Sequence, residues 1–163
     1  MQLYKIIVFN LYSYFSLFIN YTKNIKNQIN CSEPFKKKVW QQIVIQKIKN
    51  QALVLKLCKK EYKLVEKIAS LVKSGDTDNR EAYAARMYWP SLFGKDFKRD
   101  KDGEGINSLL NDVDAVMRAS MTRAICTAGL IPVLGVNHNN NLNQFCLADD
   151  FFDYKVNTAE SRK

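Results

Sequence analysis

Between Ile106 and Ile125, nine apolar side chains recur at steps of three and four: Ile106, Leu109, Leu110, Val113, Val116, Met117, Met121, Ala124 and Ile125. A strand, whose side chains alternate, would scatter this set over both faces; a helix gathers it into one stripe. Gly129 and Pro132 stand just beyond, where a helix ends. Asp112 and Asp114 lie in the first half and Arg118 and Arg123 in the second, as the helix dipole favours.

The same period governs the preceding sequence. Ser32 is placed to cap a helix, with Glu33 and Pro34 in its first turn. Phe35, Val39, Trp40, Ile43, Val44 and Ile48 form its apolar face, and the pattern runs to about Leu57. The opposite face carries Lys36, Lys37, Lys47, Lys49 and the glutamines, which reads as a solvated basic surface. A second helix is predicted over about Glu61–Val72 through Leu64, Val65, Ile68 and Leu71, ended by Ser74-Gly75. A third opens at Asp78, which as N-cap would place Glu81 at the capping-box position. Read locally, Glu81 then satisfies a backbone N–H. Pro90 should kink this helix and Gly94 should stop it, and residues 95–105 form a polar, exposed connection. No strand series follows residue 30. The fold class is all-α, with a poorly specified segment over 1–21 and a helical domain over 22–163.

Charge is unevenly placed. Residues 1–75 hold 14 basic and 3 acidic side chains, and residues 76–163 hold 11 and 13. A basic half beside a mildly acidic half suits a polyanion-binding face next to a metal pocket, or a merely solvated surface. Cys31, Cys58, Cys126 and Cys146 have no metal-ligand spacing and read as reduced, mostly buried thiols of a cytoplasmic protein. The first twenty residues are apolar and aromatic. Asn10, Ser13, Ser16 and Asn20 interrupt them, and no cleavage site follows, which argues against a membrane span or a secretory signal.

Chemistry is concentrated between Gly129 and Asp153. This stretch holds the only histidine, His138, and the carboxylates Asp149, Asp150 and Asp153. There is no Gly-rich phosphate loop and no nucleophile elbow. An H-N-H nuclease would need a second histidine, which the chain lacks. One imidazole with two carboxylates can hold Mg²⁺ or Mn²⁺, although a lone histidine among asparagines also reads as a loop residue.

The segments NREAYAARMYWPSLFGKDFKRD and INSLLNDVDAVMRASMTRAICTAGLIPVLGVNHNNNLNQFCLADDFFD closely resemble the CRISPR-associated integrase endonuclease, best in its type II forms. SEPFKKKVWQQIVIQKIKNQALVLKL is similar to the helix preceding these motifs in that family. The resemblance implies metal ligation and catalysis by Glu81, His138 and Asp153. It also implies transesterification that inserts prespacer DNA into a repeat array, and a homodimer with a small partner protein. The family's N-terminal β-sandwich and its last helical sequence find no counterpart here, so a truncated copy is expected. Its alternative form is an inactive remnant that binds nucleic acid through its basic helices. Asn111-Asp112-Val113-Asp114 stands where the family usually has N-Y-G-Y, which replaces two aromatics with carboxylates.

One geometric requirement follows. A straight helix from His138 to Asp153 would hold them roughly 22 Å apart, at about 1.5 Å per residue. A shared metal therefore demands that the chain fold back between Asn139 and Asn143, and require Glu81, His138 and Asp153 to converge.

Overall fold

The computed structural model describes residues 21–152, which form six α-helices with no strand among them. These are α1 (Tyr21–Ile29), α2 (Glu33–Leu57), α3 (Lys63–Ala69), α4 (Arg80–Phe93), α5 (Ile106–Thr127) and α6 (Cys146–Phe152). Residues 1–20 and the candidate ligand Asp153 lie outside the described residues.

α2 is the axis of the domain. Trp40, Ile43, Val44, Ile48, Ala52 and Leu55 are buried along it and meet Val65, Ile68 and Ala69 of α3 and Ala84, Ala85, Tyr88 and Trp89 of α4. Removing such a stripe from water is what holds a 25-residue helix in place. α2 ends where periodicity places it, but through Lys59 at φ 56° rather than through glycine. The Lys60 N–H donates to Leu55 O (2.9 Å) and the Lys59 N–H to Lys56 O (3.1 Å), the Schellman pattern. Gly129 closes α5 in the same way at φ 73°, with the Leu130 N–H on Ile125 O (3.1 Å).

Several expectations are corrected. The second predicted helix is shorter, Lys63–Ala69, and its period turns Leu64 and Leu71 to solvent while Val65 and Ile68 point inward. Phe35 and the middle of the α5 stripe are likewise exposed, with Leu109 at 66%, Val113 at 56% and Val116 at 65%. The α5 stripe is wider than the surface it meets: Leu110 reaches the main core, while Ile125 and Met121 join Leu147 and Ala148 of α6. Among the cysteines only Cys146 is buried; Cys58 and Cys126 are exposed, and none is bridged.

The polar connection before α5 is not simply exposed. Arg99, 7% accessible in its side chain, donates to Asn111 Oδ1 (2.6 Å) and Asp114 Oδ2 (2.9 Å) and so ties the loop to α5. The charge of Asp114 is answered by this guanidinium. α1 has too little apolar sequence to be read as a helix, yet it braces the segment after α5. Gln28 Nε2 donates to Ile131 O and Leu134 O, Gln28 Oε1 accepts the Ile131 N–H, and Asn24 Nδ2 donates to Ala128 O.

Candidate metal centre

Glu81 stands in the first turn of α4, but the predicted capping box is not what places it there. Asn79 is the N-cap, in a left-handed conformation with φ 51°, so Glu81 is the second helical residue. The exposed N–H groups of Arg80 and Glu81 are answered instead by Asp76, whose carboxylate accepts them at 2.8 and 3.0 Å from the preceding 3₁₀ turn Ser74–Asp76. Asp78, the residue expected to cap, faces out and pairs with Lys73 (2.9 Å) and Arg80 (3.5 Å). The Glu81 carboxylate is thereby released from capping.

Its partner is Lys47, whose Nζ donates to Glu81 Oε1 at 2.8 Å. Lys47 was expected on the solvated face of α2; its side chain is in fact 5% exposed. It also lies 5.1 Å from the centre of the Trp40 ring, within cation–π range. Burial pushes the Glu81 carboxyl above its usual range; Lys47 opposes this, the Asp76 charge adds to it, and His138 pulls it back.

His138 reaches this place because the chain reverses at its asparagines, as the geometry required. The Asn143 N–H donates to Asn140 O (3.0 Å), and Asn140 Oδ1 accepts the Leu142 N–H (2.9 Å), an Asx-type turn. The reversal sets α6 beside the His138 loop. Asp150, with no exposed surface, accepts the backbone N–H groups of Val136, Asn137 and His138 and sits 2.7 Å from His138 Nδ1. A carboxylate there holds the proton on Nδ1 and turns Nε2 into the nitrogen available to a ligand. Trp40 meets the imidazole edge-on, with ring centres 6.0 Å apart. Gly135 lets the loop close this tightly: a Cβ there would collide with the His138 carbonyl oxygen and lie 2.9 Å from Asp150 Oδ2.

The remaining carboxylate of the cluster has another task. Asp149 takes Arg118 Nε at 2.8 Å and Asn143 Nδ2 at 2.7 Å. Beside it, Arg99, Lys101, Asn111, Asp114, Arg118 and Phe152 line a cleft of about 310 Å³.

The structure therefore links Glu81 to His138 through Lys47 and Trp40, while Asp153 falls beyond the described residues. Among the described residues, no group of three or more His, Cys, Asp or Glu side chains is arranged to hold a metal. What is present is compatible with one: an oxygen and a nitrogen donor of the kind that suits Mg²⁺ or Mn²⁺, and a cation, the Lys47 ammonium, already drawn to the carboxylate. Sequence reasoning missed Lys47 and the second role of Trp40. It saw Asp150 only as a member of an acidic cluster. The available signal was spacing: Lys47 follows Val44 by three, Ile43 by four and Trp40 by seven residues, which puts it on the apolar side of α2.

Comparison with known proteins bears on most of the chain. The family model described as CRISPR associated protein Cas1 matches residues 14–154. A protein of Neisseria meningitidis serogroup C (strain 8013), named CRISPR-associated endonuclease Cas1, is 47% identical over 133 residues, covering 80% of this chain and 43% of that protein. Another from Francisella tularensis subsp. novicida (strain U112), named CRISPR-associated endonuclease Cas1 1, is 30% identical over 132 residues, 68% of this chain and 42% of its own length. The chain spans less than half the length of these relatives. Built of helices with no strand among its described residues, and matched along most of its length, it belongs to the CRISPR associated protein Cas1 family.

Proposed function

We propose that this chain is the helical catalytic part of a metal-dependent DNA endonuclease/integrase, which inserts prespacer DNA into a CRISPR repeat array in the cytoplasm. The observation that carries the reading is a histidine whose Nδ1 is engaged by a fully buried carboxylate and whose ring packs on Trp40, the same ring that the Glu81-bound ammonium of Lys47 approaches. That is the arrangement by which proteins present an imidazole Nε2 to a metal. The endonuclease activity for which the relatives are named and the exposed basic surface support it. Lys23, Lys26, Lys37, Lys38, Lys49, Lys56, Lys59, Lys60, Lys63, Lys67 and Lys73 are all exposed, and such a surface follows phosphate backbones without reading bases.

In this reading Glu81, His138 and Asp153 hold Mg²⁺ or Mn²⁺. When bound, the ion stabilises the charge that develops as a DNA 3′-hydroxyl attacks a phosphodiester. The chain's own contribution is positional. Asp150 fixes the tautomer and direction of His138, Asp76 holds the first turn of α4 so that Glu81 faces α2, and Trp40 walls one side of the imidazole. A homodimer and a small partner protein, which the family resemblance implies, would complete the DNA-binding assembly.

A second reading is favoured by one observation, the ion pair that already neutralises Glu81. In it the chain is an inactive remnant that binds nucleic acid through its basic helices. Strand transfer of a short duplex into a repeat-containing plasmid separates the two. Product that needs Mn²⁺ and is lost in His138→Ala is expected. Salt-sensitive DNA binding with no metal-dependent product would select the remnant.

A further inference from the structure

We infer that Lys47 is an internal counter-cation for Glu81, holding the metal site folded until a divalent ion displaces its ammonium from the carboxylate. The inference deepens the metal-dependent reading and rests on Glu81 being a ligand.

Of the lysines in α2, Lys47 alone is buried; Lys36 is half-buried, and Lys37, Lys38, Lys49 and Lys56 are at the surface. Taking an ammonium out of water is costly unless an opposite charge meets it, and Glu81 Oε1 does so at 2.8 Å. Without such a cation, Glu81 would be left as a half-buried carboxylate next to the Asp76 carboxylate that accepts its N–H. Lys47 thus supplies, in the absence of metal, the positive charge that the carboxylate requires.

The same contact sets a condition on entry. A metal on Glu81 and an ammonium on the same carboxylate repel one another, so the ammonium must withdraw as the ion arrives. The Trp40 ring, 5.1 Å from Nζ, offers it a place to remain partly compensated. Since the ring also lies against His138, the withdrawing charge stays on the wall of the site rather than leaving it. An ion with a single charge gains little by replacing another single charge. The exchange therefore favours divalent over monovalent cations, and it lowers affinity for both.

The test is Mn²⁺ titration calorimetry of the full chain, with thermal denaturation in chelator and in Mn²⁺. Lys47→Met, similar in length and uncharged, is expected to bind Mn²⁺ at least tenfold more tightly than wild type. It should melt lower without metal and recover with it. Lys47→Arg, which keeps the charge and grips a carboxylate through two N–H groups, is expected to bind Mn²⁺ several-fold more weakly and provides an answer if the Met variant does not fold. Wild-type binding with equal or weaker binding in Lys47→Met, or with equal or tighter binding in Lys47→Arg, overturns the counter-cation role alone. Absence of Mn²⁺ binding in wild type and every variant overturns both this role and the metal-dependent reading.

Discussion

Asp150 holds His138 at two points: Oδ1 lies 3.0 Å from its backbone nitrogen and 2.7 Å from ring Nδ1, from a position with no exposed surface. Backbone and ring are thereby oriented by one group on α6, twelve residues further along the chain. Converting that carboxylate to an amide puts an N–H₂ among donors that need an acceptor. Asp150→Asn should lower stability by about 2–3 kcal/mol, measured by urea denaturation. It should also weaken Mn²⁺ binding by on order of 10–100-fold in calorimetry. Unchanged Mn²⁺ affinity in a folded variant would remove Asp150 from the site.

Gly135 is a steric condition for the same contact. A methyl group there meets the His138 carbonyl oxygen and, at 2.9 Å, Asp150 Oδ2, which cannot retreat without breaking its hydrogen bonds to Val136 and Asn137. Gly135→Ala should cost about 1–3 kcal/mol. It should also displace the His138 ring resonances in NMR spectra; spectra that overlay on wild type would show that the loop has room to spare.

Asp76 and Asp78 can be distinguished by substitution and by pH. Asp76 answers two N–H groups of α4, so Asp76→Ala should destabilise by about 1–2 kcal/mol, whereas exposed Asp78→Ala should have little effect. Burial raises the Asp76 carboxyl above its ordinary 3.8, only partly offset by the two N–H donors. The folded chain therefore holds this proton more tightly than the unfolded one. That contribution to stability is complete below 3.8 and is lost as pH rises through the higher folded value. At Asp78 the hydrogen bond from Lys73 lowers the carboxyl, so its smaller contribution has the opposite sign and disappears as pH falls through the depressed value. Denaturation of Asp76→Asn from pH 3 to 6 should show the variant gaining on wild type as pH rises. A difference that shrinks with pH would reverse the assignment.

The basic surface makes a separate prediction. Replacing Lys56, Lys59 and Lys60, exposed at the end of α2, with glutamate should weaken binding of a duplex of arbitrary sequence. If each lysine meets one phosphate, the slope of log K against log salt should become shallower by roughly 0.9 per lost contact. Fluorescence anisotropy over a salt series would measure it, and an unchanged slope would move the nucleic-acid face elsewhere.

The elements most visible in sequence were those whose physics is local. α2 ends at Leu57 and α5 ends before Gly129 because apolar period and C-terminal geometry act within a few residues. The turn at Asn140–Asn143 was legible for the same reason, since asparagine side chains mimic backbone turns. Misreadings arose where a partner from another element overrode the local preference. Asp76 took the capping role from Asp78, Glu81 drew Lys47 inward from a face that looked solvated, and Arg99 pulled a polar loop onto α5. α1 escaped notice because its contacts are amide hydrogen bonds to a segment about a hundred residues away rather than an apolar face.

By itself, then, the order of amino acids determined a helical chain, its main helix ends, the reversal after His138 and the residue types from which a metal centre can be built. Only the tertiary structure decided which carboxylate meets which cation. Periodicity reports the side of a helix on which a residue lies. Whether a charge on that side is buried depends on an opposite charge brought to it by chain distant in sequence.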